Sequence, residues 1–252
     1  MSSTQTDFTV VIPARHGSTR LPGKPLLAIG DKSLIQHVCE RAAQSNASRV
    51  VVATDHEEIL QHVTGHGFEA VMTAGSCLSG TDRIAEAVAA LGLGDDEMIV
   101  NLQGDEPFMP ATVINQVVRA LADAPEAAMS TACEMITDTA MYSRADVVKV
   151  VRNSNGSALY FSRSVIPHDR DGDGAHPVYR HLGIYAYRAG YIKHFASQKP
   201  CPLELAEKLE QLRALWHGER IVVSEVHEST GIGVDTIEDL ELARQFYLQG
   251  KS

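Results

Sequence analysis

Arg49-Val-Val-Val-Ala-Thr54 places three valines in a row without polar alternation, as expected of a strand buried on both faces of a parallel sheet. A half-wet antiparallel strand would alternate, and a helix would need a longer run. Asp55 follows at once and is expected to cap a helix that runs to about residue 66. Working outward, the run Phe8-Thr-Val-Val-Ile-Pro13 predicts an earlier strand, followed by a loop through Lys24 and a helix over about 33–45. On the other side, 69–73 reads as a short strand, Ile84, Ala87, Val88 and Leu91 form a helical stripe, and 98–102 is another apolar strand before a helix over about 112–124. Short β-branched runs alternating with amphipathic stretches predict an α/β fold, a mostly parallel central sheet wrapped by crossover helices.

Beyond residue 127 the pattern changes. Strands over 128–132, 147–152, 158–162 and 181–187 come with few helices, which predicts an inserted mixed or antiparallel portion over about 128–189. His168-Asp-Arg-Asp-Gly-Asp-Gly-Ala-His-Pro177, rich in Asp and Gly, reads as a surface loop. A helix is expected over 203–217 with Leu205, Leu209, Leu212 and Trp216 on one face, then a strand over 221–226 and a last helix from Thr236. The 252 residues are expected to form one domain, with a core over 8–127 and 190–252 and the smaller portion between.

A formal charge of −10 argues against a broad nucleic-acid surface, which needs clustered Lys and Arg. The apolar run from Phe8 to Ile12 is soon interrupted by Pro13 and Arg15, too short for a signal peptide or membrane span, so a cytoplasmic protein is expected. Cys39, Cys77, Cys133 and Cys201 show no Cys-x-x-Cys pair and read as free thiols. His62 and His66 lack the His-Glu-x-x-His pattern and read as solvated helix residues.

In an acidic chain, clustered cations stand out. Pro13-Ala-Arg-His-Gly-Ser-Thr-Arg-Leu-Pro-Gly-Lys24 sets Arg15, Arg20 and Lys24 among glycines directly after the first strand, a loop suited to a triphosphate. It is neither a Walker A loop nor Gly-x-Gly-x-x-Gly: Gly17 and Gly23 are one residue too far apart, and Pro25 follows Lys24. Asn101-Leu-Gln-Gly-Asp-Glu-Pro107 ends a buried strand, where ligands of open α/β sheets bind. Asp105 there suits a magnesium ligand or a helix cap, and Glu106 reads equally well as solvent-facing or functional. Asp235, in Gly231-Ile-Gly-Val-Asp235, reads as an N-cap completed by Glu238 or as a second metal ligand.

Taken together, the loop from Arg15 to Pro25, Ala53-Thr-Asp55, Ser79-Gly-Thr-Asp-Arg83, residues 101–107, Ala158-Leu-Tyr-Phe-Ser-Arg163, Arg180-His-Leu-Gly-Ile-Tyr185, Leu209-Glu-Gln-Leu-Arg-Ala-Leu215 and Gly233-Val-Asp-Thr236 resemble the 3-deoxy-manno-octulosonate (Kdo) cytidylyltransferase family. The resemblance implies a Rossmann-like nucleotidyltransferase fold, CTP and Kdo as substrates, CMP-Kdo and pyrophosphate as products, a role in lipopolysaccharide assembly, and a homodimer through the 130–190 region. It implies that Arg15, Arg20 and Lys24 hold the triphosphate, that Thr54, Asp55, Ser79 and Gly80 lie near cytosine and ribose, and that Gln103 sits between nucleotide and sugar. Asp105 and Asp235 become the Mg2+ ligands. Arg163 is implied on the sugar carboxylate, with His181, Tyr185, Glu210 and Gln211 on the hydroxyls. Two departures, Ser143-Arg-Ala-Asp146 and a loop over 169–178 that looks short for the family, leave open Kdo against its 8-amino analogue or another sugar acid.

Overall fold

A computed structural model describes residues 6–250 other than 19, 78, 173 and 175. The expected loops over 13–24 and 168–177 therefore each include positions outside the described residues. β1 (Phe8–Ala14), β4 (Arg49–Thr54), β5 (Glu69–Met72) and β6 (Met98–Asn101) run parallel, with the short hairpin β2 (Ala28–Ile29) and β3 (Lys32–Ser33) lying outside their sheet. β7 (Met129–Met135), β8 (Lys149–Arg152), β9 (Ala158–Ser162), β10 (Tyr179–Arg188) and β11 (Ile221–Val226) complete it. The sheet order is β11-β7-β10-β6-β1-β4-β5. Only β10 breaks this path: it is antiparallel to both β6 and β7, while β11 is again parallel to β7. The parallel sheet and the antiparallel strands are thus both present.

Helices α1 (Leu34–Ala43), α2 (Glu57–Gly65), α4 (Ala111–Ala122) and α8 (Ile237–Leu248) cover one face, while α3 (Gly80–Ala90), α5 (Ala189–Ser197) and α7 (Leu212–Trp216) cover the other. The period-2 geometry of β1 divides the core: Val10 and Ile12 pack with Ile35, Val38 and Val113, and Val11 packs with Ile84 and Val88. Both faces of Val51 and Val52 are buried, which accounts for the uninterrupted valines. None of the described helices is long and apolar enough to cross a membrane.

Three local expectations are corrected. The helix expected over 203–217 is two, α6 (Pro202–Glu207) and α7, broken where Lys208 adopts φ 54 in the left-handed region. Leu205 (54% exposed) and Trp216 (52% exposed) therefore share no buried stripe, and the break is held by Arg213, whose Nε and Nη2 donate to Glu204 at 2.8 and 2.5 Å. The N-cap position of α2 falls on His56, whose side chain makes no capping hydrogen bond, while the Asp55 carboxylate is taken by Arg83. The cap of α8 is Thr236, paired with Asp239 in a capping box, which leaves the Asp235 side chain free of that duty.

Candidate active site

β1, β4 and β6 are parallel, with Ala14 level with Thr54 and Val11 level with Asn101. Their following loops therefore leave the same sheet edge, and the order reverses between β1 and β6, the switch point where open α/β sheets bind ligands. Gly23, at φ 65, caps the short 3-10 turn Lys24–Leu26 and so orients Lys24 inward. Gly104 lets the loop after β6 press on β1, since a Cβ there would lie 2.7 Å from the Pro13 carbonyl oxygen.

These close approaches bring the cationic loop and both aspartates together. Lys24 Nζ donates to Asp105 Oδ2 at 2.8 Å and to Asp235 Oδ1 at 3.0 Å, and Arg20 reaches Asp235 Oδ2 at 3.1 Å. The Val234 N–H donates to the Asp105 carbonyl at 2.9 Å, pinning the two loops to each other. Burial disfavours the Lys24 ammonium, yet the two carboxylates outweigh it and its pKa lies above the ordinary value. Burial likewise works against the Asp235 carboxylate, but Lys24 and Arg20 hold its pKa below the usual range. For Glu106, burial first and the like charge of Asp105 second outweigh the cations Arg180 and Lys24, and its pKa is pushed up to about 8.

A cavity of about 430 Å³ opens beside this group, lined by Arg15, Arg20, Lys24, Ser79, Gly80, Gln103, Asp105 and Asp235 among others. Of the expected nucleotide residues, Thr54 and Asp55 lie behind its wall. Thr54 is fully buried, and Asp55 accepts from Arg83 Nη2 at 2.8 Å and from the His16 N–H at 3.2 Å. Arg83 itself lines the cavity and was not singled out from the sequence, where it follows Asp82 as one more charge at a helix start.

A second cavity of about 270 Å³ is lined by His181, Tyr185, Glu210 and Gln211, and it shares Gly80, Gln103 and Glu210 with the first. Gln103 is fixed at this junction by Nε2 donating to Asn101 Oδ1 at 2.9 Å. Glu210 and Gln211 reach it from the break between α6 and α7 rather than from a helix face. Burial raises the Glu210 pKa, against the Thr81 hydroxyl that donates to it.

His181 is neutral here, its pKa pushed down to about 3 by burial. Its Nε2 lies 2.9 Å from Thr131 Oγ1, whose single proton is directed at the carbonyls of Ile184 (2.7 Å) and Leu182 (3.1 Å). His181 Nε2 must therefore be the donor, and its Nδ1 is the acceptor. Burial raises the pKa of Tyr185 as well, keeping its hydroxyl a donor.

Arg163 is not brought to either cavity. Its guanidinium donates to the carbonyls of Glu207 (2.7 Å), Ala145 (2.9 Å) and Lys208 (3.4 Å), so it braces the turn before Glu210. Lys208, which carries the left-handed turn, lines the smaller cavity instead. No glycine or proline marks that turn in the sequence, so it could not be read there.

A family model described as cytidylyltransferase matches residues 9–221. A relative from Pseudomonas fluorescens (strain SBW25), named 3-deoxy-manno-octulosonate cytidylyltransferase, is 53% identical over 248 residues, 95% of this chain and 98% of its own. One of the same name from Idiomarina loihiensis is 49% identical over 246 residues, 94% and 97% of the two chains. A solved structure of CMP:2-keto-3-deoxy-manno-octonic acid synthetase complexed with CTP superposes with a TM-score of 0.91 at 41% identity, covering 97% of this chain and 99% of that one. At 14% identity and a TM-score of 0.63, 4-diphosphocytidyl-2C-methyl-D-erythritol synthase shares the fold, with 98% of this chain and 100% of that one covered. By sequence, by fold and by the residues gathered at the sheet edge, this chain belongs to the 3-deoxy-manno-octulosonate cytidylyltransferase family.

Proposed function

We propose that this protein transfers CMP from CTP to the anomeric hydroxyl of Kdo, releasing pyrophosphate, and so supplies an activated sugar acid for lipopolysaccharide assembly. The observation that carries the reading is the junction at Gln103: a cavity with four cations, Arg15, Arg20, Lys24 and Arg83, and two aspartates meets a second cavity walled by hydrogen-bonding groups. The first suits a triphosphate and the second a polyhydroxylated acid.

In-line attack on the α-phosphorus forms a new sugar O–P bond and breaks the bond to pyrophosphate, so the barrier is mostly the charge of the reacting anions. Arg15, Arg20 and Lys24 offset charge on the leaving pyrophosphate. His181 Nδ1 accepts from a sugar hydroxyl, while Tyr185 donates and Gln211 does either. Asp105 and Asp235 fit magnesium, because their oxygens already converge on one cation, the Lys24 ammonium, and magnesium takes one or two carboxylates beside phosphate oxygens and water. When bound, magnesium would neutralise phosphate charge and lower the pKa of the attacking hydroxyl. With the aspartates on magnesium, the Lys24 ammonium would be free to face the phosphates.

We read the protein as a cytoplasmic homodimer assembled through residues 130–190, a reading supported by the exposed Leu159 (58%), Met135 (51%) and Val165 (46%) in that portion. Pyrophosphate release from CTP with Kdo, with 8-amino-Kdo and with a sialic acid tests the assignment. Turnover fastest with Kdo is expected; turnover with none of them would point to a nucleotide-sensing regulator.

A further inference from the structure

We propose that His16, His56 and Glu58 form a second metal site, selective for a borderline transition-metal cation of the zinc class and separate from the aspartate pair. Their donor atoms all lie within 4.8 Å of one another, and none of the three lines either cavity. Two imidazoles and one carboxylate are a donor set for zinc rather than for magnesium, which takes oxygen ligands.

A second observation points the same way. His56 Nδ1 is buried without any hydrogen-bond partner among the described residues, an arrangement that leaves a strong polar group unsatisfied. The neighbouring imidazole of His16 stacks on it with ring centroids 3.9 Å apart and planes 15° from parallel. Parallel rings do not aim their in-plane lone pairs at one point, so coordination requires one imidazole to turn out of the stack. A tetrahedral ion with bonds of about 2.0–2.1 Å sets its donors roughly 3.3 Å apart, so the cluster needs to close by at most about 1.5 Å. The exposed Glu58 and the half-buried His16 leave room for that adjustment.

The location gives the site a consequence. His16 lies between Arg15 and Ser18, which line the nucleotide cavity, and its backbone N–H is tied to Asp55. His56 and Glu58 begin α2. An ion held by all three cross-links the triphosphate loop to that helix start.

Isothermal titration of the full chain with zinc, in a large excess of magnesium, tests this. One zinc equivalent is expected. His16→Phe keeps the ring stack without the ligand nitrogen, and Glu58→Gln changes only an exposed side chain; each is expected to weaken zinc binding by about tenfold or more. Asp105→Asn is expected to leave it unchanged. The same order is expected in the zinc-induced rise of the melting temperature, which also shows that each variant is folded. Zinc binding absent from the unaltered chain, retained in His16→Phe and Glu58→Gln, or lost in Asp105→Asn would overturn the proposal.

Discussion

Lys24 Nζ lies 2.8 Å from Asp105 Oδ2 at the heart of the nucleotide cavity, and the same ammonium reaches Asp235. Two carboxylates from loops far apart in the chain thus share one cation, and Arg20 on Asp235 supplies the second positive charge. Lys24→Met removes the shared charge and, in the proposed reaction, one of the groups on the leaving pyrophosphate. Its kcat/KM for CTP is expected to fall by about 10²–10³, as when one transition-state donor is removed. Steady-state pyrophosphate release measures this; a variant within about threefold of the parent would remove Lys24 from the reaction.

Arg163 separates bracing from ligand recognition. With its guanidinium on the carbonyls of Ala145, Glu207 and Lys208, Arg163→Ala is expected to lower unfolding stability by about 2 kcal/mol, the loss of charged hydrogen bonds in a half-buried setting. Urea unfolding measures it. A raised KM for the sugar acid with unchanged stability would instead place the guanidinium on the substrate carboxylate, as the family resemblance implies.

His181 makes stability depend on pH. Its folded pKa is near 3, against about 6.5 when unfolded, so between those values the unfolded chain binds the extra proton. Its contribution is therefore fully present above about pH 6.5 and is lost as pH falls toward 3, with a limiting slope of about 1.4 kcal/mol per pH unit. Urea midpoints at pH 7 and pH 5 should differ more for the parent than for His181→Gln. Equal differences would show that His181 titrates normally in the folded protein.

The sheet was legible because its strands obey local rules. Val51 and Val52 are buried on both sides, and the run of strand, cationic loop and helix after Phe8 needed no distant partner to be recognised. Arg15 and Lys24 stood out as charge beside glycine after a strand, and Asp105 as a carboxylate after a buried strand, whereas Asp235 read as a helix cap or a metal ligand until the family resemblance paired it with Asp105. The misreadings all involve a competing partner that spacing alone does not reveal. Asp55 was expected to cap α2, yet a buried Arg83 from α3 takes its carboxylate. The leucines near 205–212 imitate one helix, yet the Glu204–Arg213 pair and the Lys208 turn divide it. Thr236, one residue beyond Asp235, supplies the cap that sequence spacing assigned to the aspartate.

The central claim is that Asp105 and Asp235 act as a unit on one cation beside the triphosphate. Turnover of Asp105→Asn, Asp235→Asn and the double variant, with CTP, Kdo and magnesium, tests it most directly. Each single variant is expected to lose about 10³-fold or more in kcat, and the double variant little beyond that, because groups acting together are non-additive. Near-normal turnover in either single variant, or losses that multiply in the double, would contradict it.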